Sequence, residues 1–130
     1  MTRDQWKEFS PYITPDVIGE GMDYNFVKKL HLFRTTTDIP MIFHAGKEFS
    51  GHAAKGYHPM GRAVDLHFGG SKSLREIFSL LDAFGLFGGI GYYTWWNHPG
   101  FHLDDRPATS YQRWLSDRKN NYIYLIPGGF

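Results

Sequence analysis

In the stretch GYHPMGRAVDLHF, residues 56–68, a histidine stands seven positions ahead of an aspartate, and the aspartate falls inside an apolar run, AVDLHF. A carboxylate among strand neighbours that face a core needs its charge compensated. For Asp65 the candidates are a salt bridge, backbone donors, or a metal ion that His58 also ligates. The seven histidines of the chain are unevenly placed: His44, His52, His58 and His67 flank the central loop and strand, and His98 and His102 lie in a second cluster, NHPGFHLDDR. Zinc held by nitrogen and oxygen takes histidine and carboxylate ligands tetrahedrally, and a catalytic site keeps one position open. A ligand at the end of a loop, one on the strand that the loop enters and a third on a neighbouring strand satisfy that geometry, and His58, Asp65 and His102 fit it. Without a metal, Asp65 accepts hydrogen bonds from Arg62 or the backbone, and His67 and His102 are satisfied locally.

Positioning these residues requires a sheet. RAVDLHF alternates, so Ala63, Asp65 and His67 share one face of a strand and Val64, Leu66 and Phe68 the other. GGIGYYTWW and GFHLDDR read as two further strands joined by a turn at Asn97–Gly100, and MIFHA after Pro40 as a short buried one. The chain closes on the aromatic strand YIYLI after a turn at Asn120-Asn121. Two helices are predicted. DYNFVKKLHLFRTTT places Phe26, Val27, Leu30 and Phe33 on one stripe, with Asp23 or Asn25 as N-cap. SLREIFSLLDAFG has a Ser73/Glu76 capping box, a stripe of Ile77, Leu80, Leu81 and Phe84, and Gly85 as C-cap. Residues 1–24, with Pro11, Pro15, Gly19 and Gly21, are expected to be mostly irregular and to wrap the surface. The segment GKEFSGHAAKGYHPMG is long for a connection, and such loops often carry function. The expected fold class is α+β: two principal helices packed on a mainly antiparallel sheet.

At 130 residues the chain forms one domain, and its aromatic content of 18% supplies a core rather than disorder. A formal charge of +1, from 14 basic and 13 acidic residues, leaves no electrostatic footprint for nucleic acid. The lack of cysteine excludes disulfides, thiolate zinc ligands and a cysteine nucleophile. No apolar stretch reaches the roughly 20 residues of a membrane span, and residues 1–21 do not read as a secretory signal peptide. The expectation is therefore a monomer that is cytoplasmic as synthesised.

HPMGRAVDLHF is similar to the H-x-x-G-x-A-x-D signature of the M15 zinc peptidases, the family of D-Ala-D-Ala carboxypeptidases and bacterial cell-wall endopeptidases. GGIGYYTWWNHPGFHLDDR followed by Arg113-Trp114 resembles the second half of that pattern, and DIPMIFHAGK stands in place of the family's Ser-Gly-Tyr-Arg block. Together these cover roughly residues 23–115. The resemblance implies an M15 or hedgehog-like fold, Zn2+ on His58, Asp65 and His102, and a peptidoglycan stem or cross-link peptide cut at a bond involving a D-amino acid. Lys47 then stands where the family has a substrate-meeting arginine, with Tyr93 and Arg62 as further substrate contacts. The chain departs from the family at Gly56, often serine, and at Pro99 and Gly100, where branches place a glutamate base or a histidine. Asp104 matches the family's H-x-D and is read as general base or as the group that orients a ligand; His98 is the rival base. Asp104 or Asp105 could instead simply pair with Arg106. Tyr92, Tyr93, Trp95 and Trp96 either wall a cleft or fill a core. The implied setting is a phage lytic enzyme released by a membrane-permeabilising partner such as a holin, or a virion-associated protein. A family-fold binding or structural module without catalysis is the alternative.

Overall fold

The computed structural model describes residues 1–45, 57 and 59–125; the expected ligand His58 and substrate contact Lys47 lie outside them. The architecture is α+β. Helices α1 (Arg3–Phe9), α2 (Pro15–Ile18), α3 (Tyr24–Thr37) and α4 (Leu74–Phe84) accompany six strands: β1 (Met41–Ala45), β2 (Ala63–Phe68), β3 (Gly89–Tyr93), β4 (Gly100–Asp104), β5 (Gln112–Ser116) and β6 (Tyr122–Tyr124). They form one sheet in the order β1-β2-β4-β3-β5-β6. The sheet is mixed rather than purely antiparallel, because β3 and β5 run parallel while the other pairings are antiparallel.

Local sequence explains the helices. Asp23 caps α3 by accepting the Phe26 N–H at 3.0 Å, and the α3 stripe of Phe26, Val27, Leu30 and Phe33 is fully buried. The Ser73/Glu76 capping box starts α4, and Gly85 ends it in the left-handed conformation. On α4 the buried residues are Ile77, Phe78 and Leu81; Leu80 and Phe84 are only partly covered. The apolar stripe is thus rotated slightly toward Phe78, whose ring meets Tyr92 and Phe101 of the sheet.

Residues 1–24 differ from the expected irregular wrap. Thr2 and Gln5 form a capping box that nucleates α1, Pro15 opens α2 at a position where its missing N–H costs nothing, and Phe9, Ile13, Ile18 and Met22 join the core. Helices this short show no periodicity to read.

The sheet has two unlike faces. Val64 and Leu66 of β2, Phe101 and Leu103 of β4 and Ile90 of β3 are buried with the helices. Strand alternation places Ala63, Asp65 and His67, then His102 and Asp104, then Gly89, Gly91 and Tyr93 on the opposite face. Trp95 and Trp96 follow β3 in the turn rather than extending the strand. Among the described residues no helix is long and apolar enough to cross a membrane.

Candidate metal and catalytic site

Pairing of β2 with β4 sets Asp65 directly opposite His102, and Ala63 opposite Asp104. The Asp65 Oδ1 lies 3.1 Å from His102 Nδ1, and the other ring nitrogen, Nε2, lies 2.7 Å from Asp104 Oδ2. Behind Asp104 stands Arg106, whose Nε and Nη2 donate to Oδ1 at 2.8 Å and Oδ2 at 2.6 Å, with its backbone N–H donating to Oδ1 at 3.1 Å. The result is a line of groups, Asp65–His102–Asp104–Arg106, running across the open face of the sheet.

Glycines make room for it. A Cβ on Gly89 would sit 2.3 Å from both carboxylate oxygens of Asp104, and one on Gly91 would sit 2.6 Å from the Trp114 indole. The Gly-x-Gly of β3 therefore leaves space for a buried carboxylate and for an indole beside His102, the rings of Trp114 and His102 being 5.4 Å apart. Trp114 Nε1 donates to the Tyr93 hydroxyl at 3.1 Å, and the Tyr93 ring stacks on Trp96 at 4.4 Å.

Electrostatics follow from this packing. Burial disfavours a charged His102 ring, but the hydrogen bonds to Asp104 and Asp65 outweigh it and push the metal-free imidazole up to about 9. Burial likewise works against ionised Asp104, yet His102 and Arg106 hold its carboxyl well below the usual carboxylate range. Tyr93 is raised well above the ordinary phenol value, by burial first and then by its contact with Tyr122.

The other predicted residues fall as follows. His98 lines a cleft of about 550 Å³ together with Asp65, His44, Trp95, Trp96, Asn97 and Arg118. Its ring stacks on His67 at 4.7 Å. Asp104 does not reach that cleft: it is fully buried, and its oxygens are taken by Arg106 and His102. Arg62 turns to Asp105, donating from Nη2 to its backbone oxygen at 2.7 Å, and its guanidinium lies over the Tyr57 ring; Lys29 also bonds the Asp105 carboxylate. Tyr93 is 7% exposed and belongs to the wall rather than to an open surface.

Some site residues carried no assignment from the sequence. His44 lies 2.6 Å, Nε2 to Nδ1, from His67, a contact that only the β1–β2 pairing creates. Burial lowers both rings; His67 and His98 lower His44 further, and His98 lowers His67. Arg118, in the turn between β5 and β6, gave no signal at all.

Two donors on one tetrahedral ion at about 2.0–2.2 Å stand about 3.4 Å apart, close to the Asp65–His102 separation. A histidine ligand that donates its second nitrogen to a carboxylate is the usual support for zinc, and the His102 Nε2–Asp104 Oδ2 contact has that form. Among the described residues no three His, Cys, Asp or Glu side chains are grouped to hold a metal, and the third expected ligand, His58, lies outside them. No family model matches the chain, and no curated protein or solved structure matches it significantly.

Proposed function

We propose that the chain is a zinc peptidase of the M15 type, acting on peptidoglycan peptides at a bond involving a D-amino acid. The observation that carries the reading is the in-register Asp65–His102 pair on adjacent strands, backed by buried Asp104. His58, Asp65 and His102 would hold the ion, and zinc supplies the Lewis acidity that hydrolysis at an amide carbonyl requires.

The chain's own groups do the rest. Arg106 keeps Asp104 ionised; Asp104 accepts the Nε2 proton of His102, which leaves the Nδ1 lone pair facing Asp65. Asp104 is therefore a positioning residue. The base must stand on the open side of the pair, within one hydrogen bond of the attacking water. His98 lines the same cleft as Asp65 and takes that role, accepting the water's proton on a ring nitrogen and returning it to the leaving amine. Trp96 lines the cleft and is backed by the stacked Tyr93 ring.

The test is incubation of the purified chain and its His98→Ala variant with zinc and defined muropeptides, with products followed by mass spectrometry. The expected result is cleavage next to a D-residue by the wild type and a loss of about 10²–10⁴ in rate for the variant. Zinc uptake without cleavage of any muropeptide supports a binding module instead.

A further inference from the structure

Arg118 is the one guanidinium among the described residues lining the cleft, at the opposite charge extreme from Asp65. It is carried by a turn whose geometry is fixed independently of it. The Asp117 carboxylate accepts the backbone N–H groups of Lys119 at 2.8 Å and Asn121 at 2.9 Å, and the Asn120 N–H donates to the Asp117 carbonyl at 3.0 Å. The nearest carboxylate in sequence is thus consumed by the turn's own backbone. Among the described residues Arg118 makes no ion pair or side-chain hydrogen bond. The turn is also tied to the cleft wall: Trp95 Nε1 donates to Ser116 Oγ at 3.2 Å, and that hydroxyl donates to the Asp117 carbonyl at 3.1 Å.

An exposed arginine on a cleft that Trp95 and Trp96 also line, with its five donors unspent, matches one ligand chemistry best. Guanidinium recognises a carboxylate through two parallel charge-assisted hydrogen bonds. Asp65, which lines the same cleft, repels that anion. We propose that Arg118 is a subsite for a free carboxylate of the bound peptide, holding that end away from Asp65 and leaving a neutral amide beside Asp65 and His98. The inference rests on the peptidase reading for its choice of a peptide, but it is tested by binding alone. The carboxylate could be a C-terminus or an acidic side chain.

Trp95 and Trp96 line the cleft, so their fluorescence reports occupancy. The full chain, with and without added zinc, is titrated with one D-Ala-D-Ala-terminated peptide as the free acid, as its C-terminal amide, and as the amide carrying a glutamate side chain. The acid is expected to bind about 10- to 100-fold more tightly than the amide. Arg118→Gln should remove that preference by weakening the acid alone, and Arg118→Lys should restore it in part, because lysine keeps the charge without the fork. Tighter binding of the glutamate-bearing amide than of the plain amide places the charge on a side chain and still supports the subsite. Equal binding of acid and amide, a preference that survives Arg118→Gln, or no binding of any peptide overturns the inference. Failure of the peptidase reading looks different: the acid preference and its loss in Arg118→Gln persist, while no peptide is cleaved.

Discussion

His102 spends both ring nitrogens on carboxylates, Asp65 at Nδ1 and Asp104 at Nε2, and the two contacts differ in kind. Asp65 is partly open to the cleft, whereas Asp104 is sealed against Gly89 and clamped by Arg106. Asp104→Asn should therefore lower zinc affinity by about 10- to 100-fold, measured by competition with a chromophoric chelator; unchanged affinity would reduce Asp104 to a structural partner of Arg106. The metal-free chain should also show a pH window. Asp104 has a depressed folded pKa, so its stabilisation is present above the unfolded value of about 3.9 and fades as pH falls below it. His102 has a raised one, so its contribution is complete below about 6.5 and is lost as pH rises through about 9. Denaturation midpoints should be highest between about pH 4 and 6.5 and decline on both sides, and Asp104→Asn should flatten both limbs. Strand alternation was enough to put Asp65 with His67 on one face of β2 and His102 with Asp104 on one face of β4; that the two faces coincide follows from the β2–β4 register. It could not tell which way the Asp104 carboxylate leans, because that depends on the space above Gly89 and on Arg106 folding back two residues.

Elements were legible where periodicity had room to repeat. The α3 stripe is buried as expected, and both ends of α4 carry the expected caps. The weight on α4 shifts, however, because Phe78 takes a core position and Leu80 sits at the margin. Leu81→Ala should destabilise by about 2–5 kcal/mol in chemical denaturation, and Leu80→Ala by clearly less; equal losses would mean that the helix is rotated from the position described. Gly89→Ala is the sharper probe of β3, since the new methyl must displace the Asp104 carboxylate. It should cost stability and zinc affinity together, whereas an Ala tolerated in both respects would contradict the close approach. Two features escaped the sequence for physical reasons. Helices α1 and α2 are too short for a 3.6-residue pattern, although Thr2 and Gln5 carried a capping box. The parallel β3–β5 pairing depends on β4 and the following turn looping past a neighbour, which no local pattern encodes.

At the scale of the whole molecule, one sheet separates stability from chemistry. Helices and apolar rings fill one face, and the carboxylate–imidazole line, the cleft and the aromatic wall occupy the other. Substitutions at the cleft residues His98 and Arg118 should change binding before they change folding, whereas those at Gly89 and Asp104 should change both. Zinc on His58, Asp65 and His102 is the central proposal, and elemental analysis of the purified chain after zinc reconstitution and desalting tests it most directly. The prediction is about one zinc per chain, retained in His98→Ala and lost in the Asp65→Ala/His102→Ala double variant while its circular dichroism remains that of a folded α+β protein. A chain that takes up no zinc, or a folded double variant that keeps it, would contradict the account.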